Sequence, residues 1–455
     1  MRVDLARTLG LRDLTFLIVG AVIGSGIFTV PGAVFRQIGG SVTLALLVWL
    51  GGGILSLLGA LTYGELSAAK PVTGGLYVYI RDCFGRLPAF LYGWTLLLVI
   101  SSGANAALAV AFSNYLGELV TLPPWMSSAV SIAMLVLVTA VNVRGTRQSA
   151  NLQNWTTAIK TVALVLMSAV LLTLGATPEA VAPEAVDNGS LVTGMGLAMI
   201  GVLWAYEGWQ YGTFNAGEVI DPRRNFPRAF LIGIVTLIFV YMLANLAYVA
   251  ALGPTQAAAT DRIAATAMTA VAGPVAGKVI AIVIMISVLS AANSTILSAP
   301  RVYYAMAADG LFFRRLADIH PRFGTPAFAI VVGSVWSAVL VLTGTFEQLL
   351  TYVVFTGWIF YALAAASIFV YRRRNPAADR PYSVPGYPLT PLLFILSAVA
   401  LVGNTVVAAP QDAAIGSGII LLGVPVYLLW RWRNRKTVLT AVPDNGPNTE
   451  TPDPV

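Results

Sequence analysis

Two apolar stretches, each long enough to cross a bilayer, are interrupted near the middle. The interruptions are Ile23-Gly24-Ser25-Gly26-Ile27-Phe28 and Trp204-Ala205-Tyr206-Glu207-Gly208-Trp209. Hydrocarbon offers no hydrogen bonds, so backbone freed at that depth has to line a cavity walled by protein or filled with water. Breaks at matching places in two halves of a chain point to a transporter's substrate site. No other feature of the sequence narrows the possible folds as far.

The composition places both breaks in a membrane. Of 455 residues, 57% are apolar and only 10% charged, with a mean hydropathy of +0.79; soluble domains average about 25% charged. Stretches near the ~20 residues that span a bilayer recur at 13–35, 41–67, 87–116, 126–143, 153–174, 191–213, 228–252, 274–304, 326–343, 346–371, 390–409 and 413–431. Taken as spans 1 to 12, they predict an all-α integral membrane protein with twelve transmembrane helices. Span 1 lacks a small-residue cleavage site and is expected to stay rather than be removed as a signal peptide.

Basic residues set the expected orientation. With the N-terminus inside, all of the Lys and Arg residues fall in inner loops except Arg36, Arg262 and Lys278 outside and Lys160 within span 5. That bias predicts both termini in the cytoplasm and a multi-pass protein of the inner (plasma) membrane. It also accounts for the net charge of +7 without a nucleic-acid partner. The single cysteine, Cys83, excludes an internal disulfide and is expected to be a reduced, inert thiol. The single histidine, His320, has no companions for a metal site or a nucleophilic triad, so neither a cofactor nor an enzyme activity is expected.

Five spans precede the second break and five begin with it. An odd number of crossings per repeat inserts the second repeat upside down. The expected architecture is therefore an inverted 5+5 repeat with discontinuous helices 1 and 6, followed by helices 11 and 12. Repeat one covers about 13–175, repeat two about 191–371 and the extra helices about 390–431, within one domain over 1–435. The polar, Pro-rich stretch 436–455 is expected to be a disordered cytoplasmic tail. Lys70 to Ile80, with paired glycines and tyrosines, suits an inner amphipathic segment near the interface. The stretch from Pro254 to Pro274 is its outer counterpart, and the small residues of span 2 suit close helix packing.

The breaks carry their own chemistry. Unwinding at Gly24-Ser25-Gly26 leaves free amides where the outer half-helix starts, near Ser25 and Ile27, which suits a carboxylate. Free carbonyls at Val22 and Ile23 suit an ammonium group, as do those of Trp204 and Ala205 in span 6. A ligand with an anion and a cation on one carbon fits both, which is an α-amino acid. Trp204 is the candidate gate, whereas Tyr206 and Trp209 fit packing equally well. Gly20 and Gly24 leave room for a ligand side chain.

Two ionisable residues sit where charge costs about 2.5–3.5 kcal/mol even on the mildest scale. Lys160 is expected to wedge between spans 1 and 8. It would bond the broken backbone and Ser290, Asn293 or Ser294 where a sodium ion could otherwise sit, and transport would then be independent of sodium. Snorkelling to the inner surface is the alternative. Glu207 lies in the second break and fits three roles: holding an ammonium, taking up a proton, or bonding backbone as a neutral acid. Glu65 and Glu218, at inner span ends, suit structural ion pairs.

At these residues the chain resembles the amino acid–polyamine–organocation superfamily, and within it the L-type amino acid transporter branch. The matching stretches are Gly20 to Phe28, Tyr63 to Leu66, Gly74 to Tyr77, Trp204 to Trp209, Glu218 to Pro227, Pro300 to Met306 and Asp309-Gly310. The resemblance implies the five-plus-five fold, transport of L-amino acids, often by exchange, and a span-5 lysine, Lys160, in place of a sodium site. Animal members pair with a heavy chain through a cysteine after span 3. The loop from Ser113 to Pro124 has none, so a bacterial-type carrier without a disulfide-linked heavy chain is expected, as a monomer or weak homo-oligomer. Glu207 stands where many members carry Gly, and Thr213 where animal members tend to have Asn.

The leading expectation is a sodium-independent exchanger of small or neutral L-amino acids working by alternating access. A proton-coupled amino acid or polyamine symporter, with Glu207 or Lys160 titrating, is the alternative. A channel would need a continuous polar lining and a sensor an output domain, and the sequence supplies neither.

Overall fold

A computed structural model of the chain describes residues 7–175, 191–343 and 346–440. Among the described residues there is no strand, and one isolated bridge pairs Leu9 with Val219. Span 1 is two helices, α1 (Leu11–Val22) and α2 (Gly26–Gln37), bent by 42° across the break. Next come α3 (Val42–Ala69) and a short α4 (Leu76–Phe84). Then α5 (Arg86–Thr95) runs through a π-helical turn, Leu96–Ile100, into α6 (Ser101–Gly117). α7 (Pro124–Arg144) and α8 (Thr146–Leu174) complete the first half.

The second half repeats the order. α9 (Leu191–Ala205) and one-turn α10 (Tyr211–Phe214) flank its break, followed by α11 (Pro222–Ala258) and short α12 (Ile263–Ala272). α13 (Pro274–Ser298) continues as α14 (Pro300–Ala308), then come α15 (Ala327–Thr343), α16 (Phe346–Arg374), α17 (Leu389–Ala408) and α18 (Pro410–Thr440). Nine of the described helices are long and apolar enough to cross a membrane, or ten with α1 and α2 as one bent span. The twelve spans expected also count α9 and α15, whose 15 and 17 residues fall short of that length. α18 runs to Thr440, through the start of the expected tail, and 441–455 lie outside the described residues.

Amphipathicity here is inverted relative to a soluble helix. On α8, Trp155, Ile159, Val162 and Leu166 are exposed, while Lys160, Leu164, Met167 and Leu171 on the other face are buried. Large apolar side chains left on the surface cost nothing when the solvent is lipid. The charged residue therefore faces the bundle, and complete burial of Lys160 removes the snorkelling alternative. Small residues of α3 serve packing as expected: a Cβ on Gly59 would stand 2.6 Å from Trp209 and 2.5 Å from Phe394.

One fully buried and one partly buried ion pair help tie the Arg-rich end. Arg372 grips Glu65 through both carboxylate oxygens at 2.8 and 2.6 Å. Arg301, fully buried on α14, donates Nε to Glu218 Oε1 at 2.8 Å and Nη2 to Oε2 at 3.3 Å. Thr146 Oγ1 bonds the same carboxylate at 2.9 Å. The N-terminal strip joins this knot, with Thr8 and Leu9 amides donating to the Glu218 carbonyl at 2.9 and 3.0 Å. Both glutamates thus form the structural pairs expected of them.

α4 is amphipathic but more deeply seated than an interfacial segment, since Leu76 to Ile80 are buried. Tyr77 OH bonds Asp309 at 2.9 Å and Tyr79 OH bonds Ser67 at 3.1 Å. Cys83, also on α4, points its thiol at the Ser367 carbonyl 3.6 Å away, and burial pushes that thiol up from its ordinary value. His320 Nδ1 accepts the Arg322 and Phe323 amides at 3.2 and 3.3 Å, which commits its ring to a turn.

Removing one partner of a buried ion pair strands the other charge, at a cost of about 3–5 kcal/mol. Arg301→Met is therefore expected to lower the unfolding midpoint of the detergent-purified protein sharply. An unchanged midpoint would mean that Glu218 does not depend on Arg301.

Candidate functional site at the two helix breaks

α1 ends because Gly24 leaves the helix: its amide turns back to the Val22 carbonyl at 2.7 Å instead of continuing the i to i−4 ladder. α2 restarts at Gly26, and among the described residues the amides of Ser25, Gly26 and Ile27 take no backbone partner. Three donors at the positive end of a helix dipole are thus left together. The Ser25 hydroxyl, 1% exposed, also lacks a partner.

The carbonyls on the other side of the break are occupied. Lys160 Nζ donates to Gly20 O at 2.7 Å, Ile23 O at 2.5 Å and Ser287 O at 3.3 Å. An ammonium has three protons, and each finds a carbonyl. Ser287 Oγ adds bonds to Ile23 O at 2.9 Å and Gly24 O at 3.0 Å. Lys160 is wedged between spans 1 and 8 as expected, but the span-8 partner differs. Ser290 bonds Thr156 and Gln153, Asn293 bonds Gln153 and the Ser149 carbonyl, and Ser294 bonds the Leu17 carbonyl. These three fasten α13 to α8 and α1, and the lysine meets α13 about one turn further along.

The second break leans directly on the first. A Cβ on Gly26 would stand 2.6 Å from Ala205 Cα, and one on Gly208, whose φ is +123°, would stand 2.9 Å from the Ala21 backbone. Glycine is therefore obligatory at both contacts. One side chain from α11 joins the two: Tyr241 OH lies 3.0 Å from Val22 O and 2.9 Å from Ala205 O. Sequence reading missed this tyrosine, one of many aromatics in the spans.

Between the breaks lies a cavity of about 30 Å³, about the share of liquid volume that one water takes. Val22, Gly24, Ser25, Gly26, Trp204 and Glu207 line it, as the sequence suggests. Ile23, Ile27 and Ala205 do not: the first is held by Lys160 and Ser287, Ile27 is buried against other helices, and Ala205 packs on Gly26. Gly20 faces α8, where a Cβ would meet Gln153 at 1.9 Å, so it leaves no room for a ligand. Ala104 and Leu108 of α6 and Ala291 and Thr295 of α13 supply the far walls. Their i, i+4 spacing places each pair on one helix face, a pattern that packing residues share.

Glu207 is partly exposed to the cavity. Its Oε1 accepts from Gln210 Nε2 and from Tyr361 OH, both at 2.5 Å, and these two partners are 2.8 Å apart. Both are neutral, and among the described residues no cation pairs with this carboxyl. Tyr211, 2% exposed and also lining the cavity, has a hydroxyl without a partner among the described residues. Tyr206 packs on Trp49 and Tyr241, and Trp209 on Tyr63, Phe230 and Phe394, so both serve packing. Trp204 alone of the three aromatics lines the cavity.

Lys160→Ala would strand the Gly20 and Ile23 carbonyls, and a transport rate lowered at least tenfold with the protein still folded is expected. Wild-type rates in labelled-substrate uptake would remove the wedge from the mechanism. Tyr241→Phe removes the shared proton, and one lost buried hydrogen bond of ~1–3 kcal/mol corresponds to a drop of about tenfold in the same uptake assay. An unchanged rate would show that the two breaks hold together without it.

Comparison with known proteins agrees with this geometry. The family model described as amino acid permease matches residues 9–430. The serine/threonine exchanger SteT of Bacillus subtilis is 31% identical over 93% of this chain and 96% of its own. The human large neutral amino acids transporter small subunit 2 is 33% identical over 94% and 81%, and the human Asc-type amino acid transporter 1 is 32% identical over 94% and 84%. These are carriers rather than enzymes. A chain with two facing helix breaks, matched nearly end to end, belongs to the amino acid permease family.

Proposed function

We propose that this protein is a sodium-independent exchanger of small neutral L-amino acids. The observation that carries the reading is the cage around Lys160 Nζ, where three carbonyls take an ammonium in a place that would suit a monovalent cation. A resident cation removes the need for a bound one. The unpaired amides of Ser25 and Gly26, which line the cavity, would take the substrate carboxylate, and the Val22 and Ala205 carbonyls would take its ammonium once Tyr241 lets go of them. Walls of Gly24, Ala104 and Ala291 favour a short side chain. The relative named a serine/threonine exchanger supports both the exchange mode and small polar substrates.

The 30 Å³ cavity is smaller than an amino acid, so binding requires the walls to part, and Trp204 is the candidate gate. In this reading α9 and α15 complete twelve spans, the two halves form an inverted 5+5 repeat over about 13–175 and 191–371, and both termini lie in the cytoplasm, since the Arg-rich loops share one face. The protein works in the plasma membrane as a monomer or weak homo-oligomer without a disulfide-linked heavy chain. A second reading, proton-coupled symport, rests on Glu207, which faces the cavity with only neutral partners.

Purified protein in liposomes separates the two. Labelled L-serine should enter vesicles preloaded with unlabelled amino acid, without sodium, and should enter empty vesicles at least tenfold more slowly. Equal uptake in both, rising with an inward proton gradient and lost in Glu207→Gln, would replace exchange by symport.

A further inference from the structure

A second cavity, of about 150 Å³, lies beyond the first and is lined by Thr29, Ala111, Asn114, Tyr115, Asp261 and Arg262. It shares two walls with the central cavity. Thr29 stands one turn along α2 from Ser25, whose carbonyl its hydroxyl bonds at 3.1 Å. Ala111 stands three residues along α6 from Leu108. At 1.5 Å rise per residue, the two spaces are offset by about 4.5–6 Å along the same helices, on the side away from the Arg-rich loops.

The lining has the polarity of a zwitterion. Asp261 and Arg262 are consecutive, so one carboxylate and one guanidinium line the same cavity. Tyr115, 4% exposed, brings to the same cavity a hydroxyl with no hydrogen-bond partner among the described residues. A buried hydroxyl left unpaired is costly and marks a place where a polar ligand group is welcome.

Neither charge is locked away from a ligand. Asp261 pairs with Arg36 at 2.5 Å and Arg262 with Glu118, and the four side chains are 35–80% exposed. Pairs so open to solvent add little to stability, so a ligand carrying both charges can exchange with them at little cost. A carboxylate would take Arg262, and an ammonium would take Asp261.

We propose that this cavity is an outer docking site for zwitterionic α-amino acids, which dock between Asp261 and Arg262 against Tyr115 before they enter the central cavity. The site rests on the exchange reading above, because it supplies the same substrate class. It is separate from the Lys160 cage and from the helix breaks, and its role is to collect substrate from one face of the membrane only.

The test uses full-length protein in vesicles of defined orientation, with labelled L-serine and saturating exchange substrate on the opposite side. Asp261→Asn, Arg262→Gln and Tyr115→Phe should each raise KM about threefold to tenfold for entry from the face opposite the Arg-rich loops. KM from the Arg-rich face and the maximal rate should stay at wild-type values. The double exchange Asp261→Arg with Arg262→Asp separates docking from loop anchoring. It preserves an opposite pair for the ligand but sets like charges against each other at Arg36 and at Glu118. Docking predicts that it recovers part of the KM lost in the single variants, and anchoring predicts that it is the worst of the set. Equal changes in KM on both faces, a lowered maximal rate alone, or wild-type KM throughout would each overturn the docking site. An inactive wild-type protein would instead count against the exchange reading itself.

Discussion

A helix that unwinds inside a membrane has to find partners for the amides and carbonyls it releases, without help from water. Most of this architecture follows from how the first break meets that demand. The carbonyl side is met by an ammonium from α8 and a serine from α13, which gather Gly20, Ile23 and Gly24 to one point. The amide side, at Ser25, Gly26 and Ile27, is left open. A site is thereby created by difference: one polarity of the broken backbone is satisfied by the protein and the other is not. The second break is brought against the first by two glycines and held by one tyrosine hydroxyl.

How much of this could be read in the sequence varied with the physics involved. The breaks were legible because Gly-Ser-Gly interrupts an apolar run at a depth where freed backbone needs a cavity, and Lys160 because a buried charge is so costly. The ion pairs of Glu65 and Glu218 were legible from their place beside Arg-rich loops. What stayed hidden was register between helices. The lysine reaches Ser287 rather than Ser290, Asn293 or Ser294, because a shift of one turn between packed helices leaves no trace in either sequence. Tyr241, Ala104, Leu108, Ala291 and Thr295 were hidden for another reason, since aromatic and small residues line cavities and fill cores alike. Ile23, Ile27 and Ala205 carry backbone groups freed by the breaks, yet none lines the cavity, because the sequence does not tell which freed groups the protein itself takes up.

The two ends of the bundle differ in kind. At the Arg-rich end, Arg301 and Glu218 are fully desolvated and tied to the N-terminal strip and to α8, so opening there means separating a buried pair. At the opposite end the pairs are exposed and join α2 and the C-terminal cap of α6 to the loop that carries Asp261 and Arg262. Strong ties on one side and weak ones on the other describe a molecule whose closed ends are not energetically equivalent.

The cage around Lys160 also bears on membrane voltage. A small ion bound there would be free to leave, and one charge crossing the full field at 100 mV gains ~2.3 kcal/mol. An ammonium on a four-carbon stem rooted in α8 cannot make that crossing. In the exchange reading proposed above it would supply the electrostatic anchor of an ion while transferring no current, and through this residue the electrical potential of the cell would have nothing to pull on.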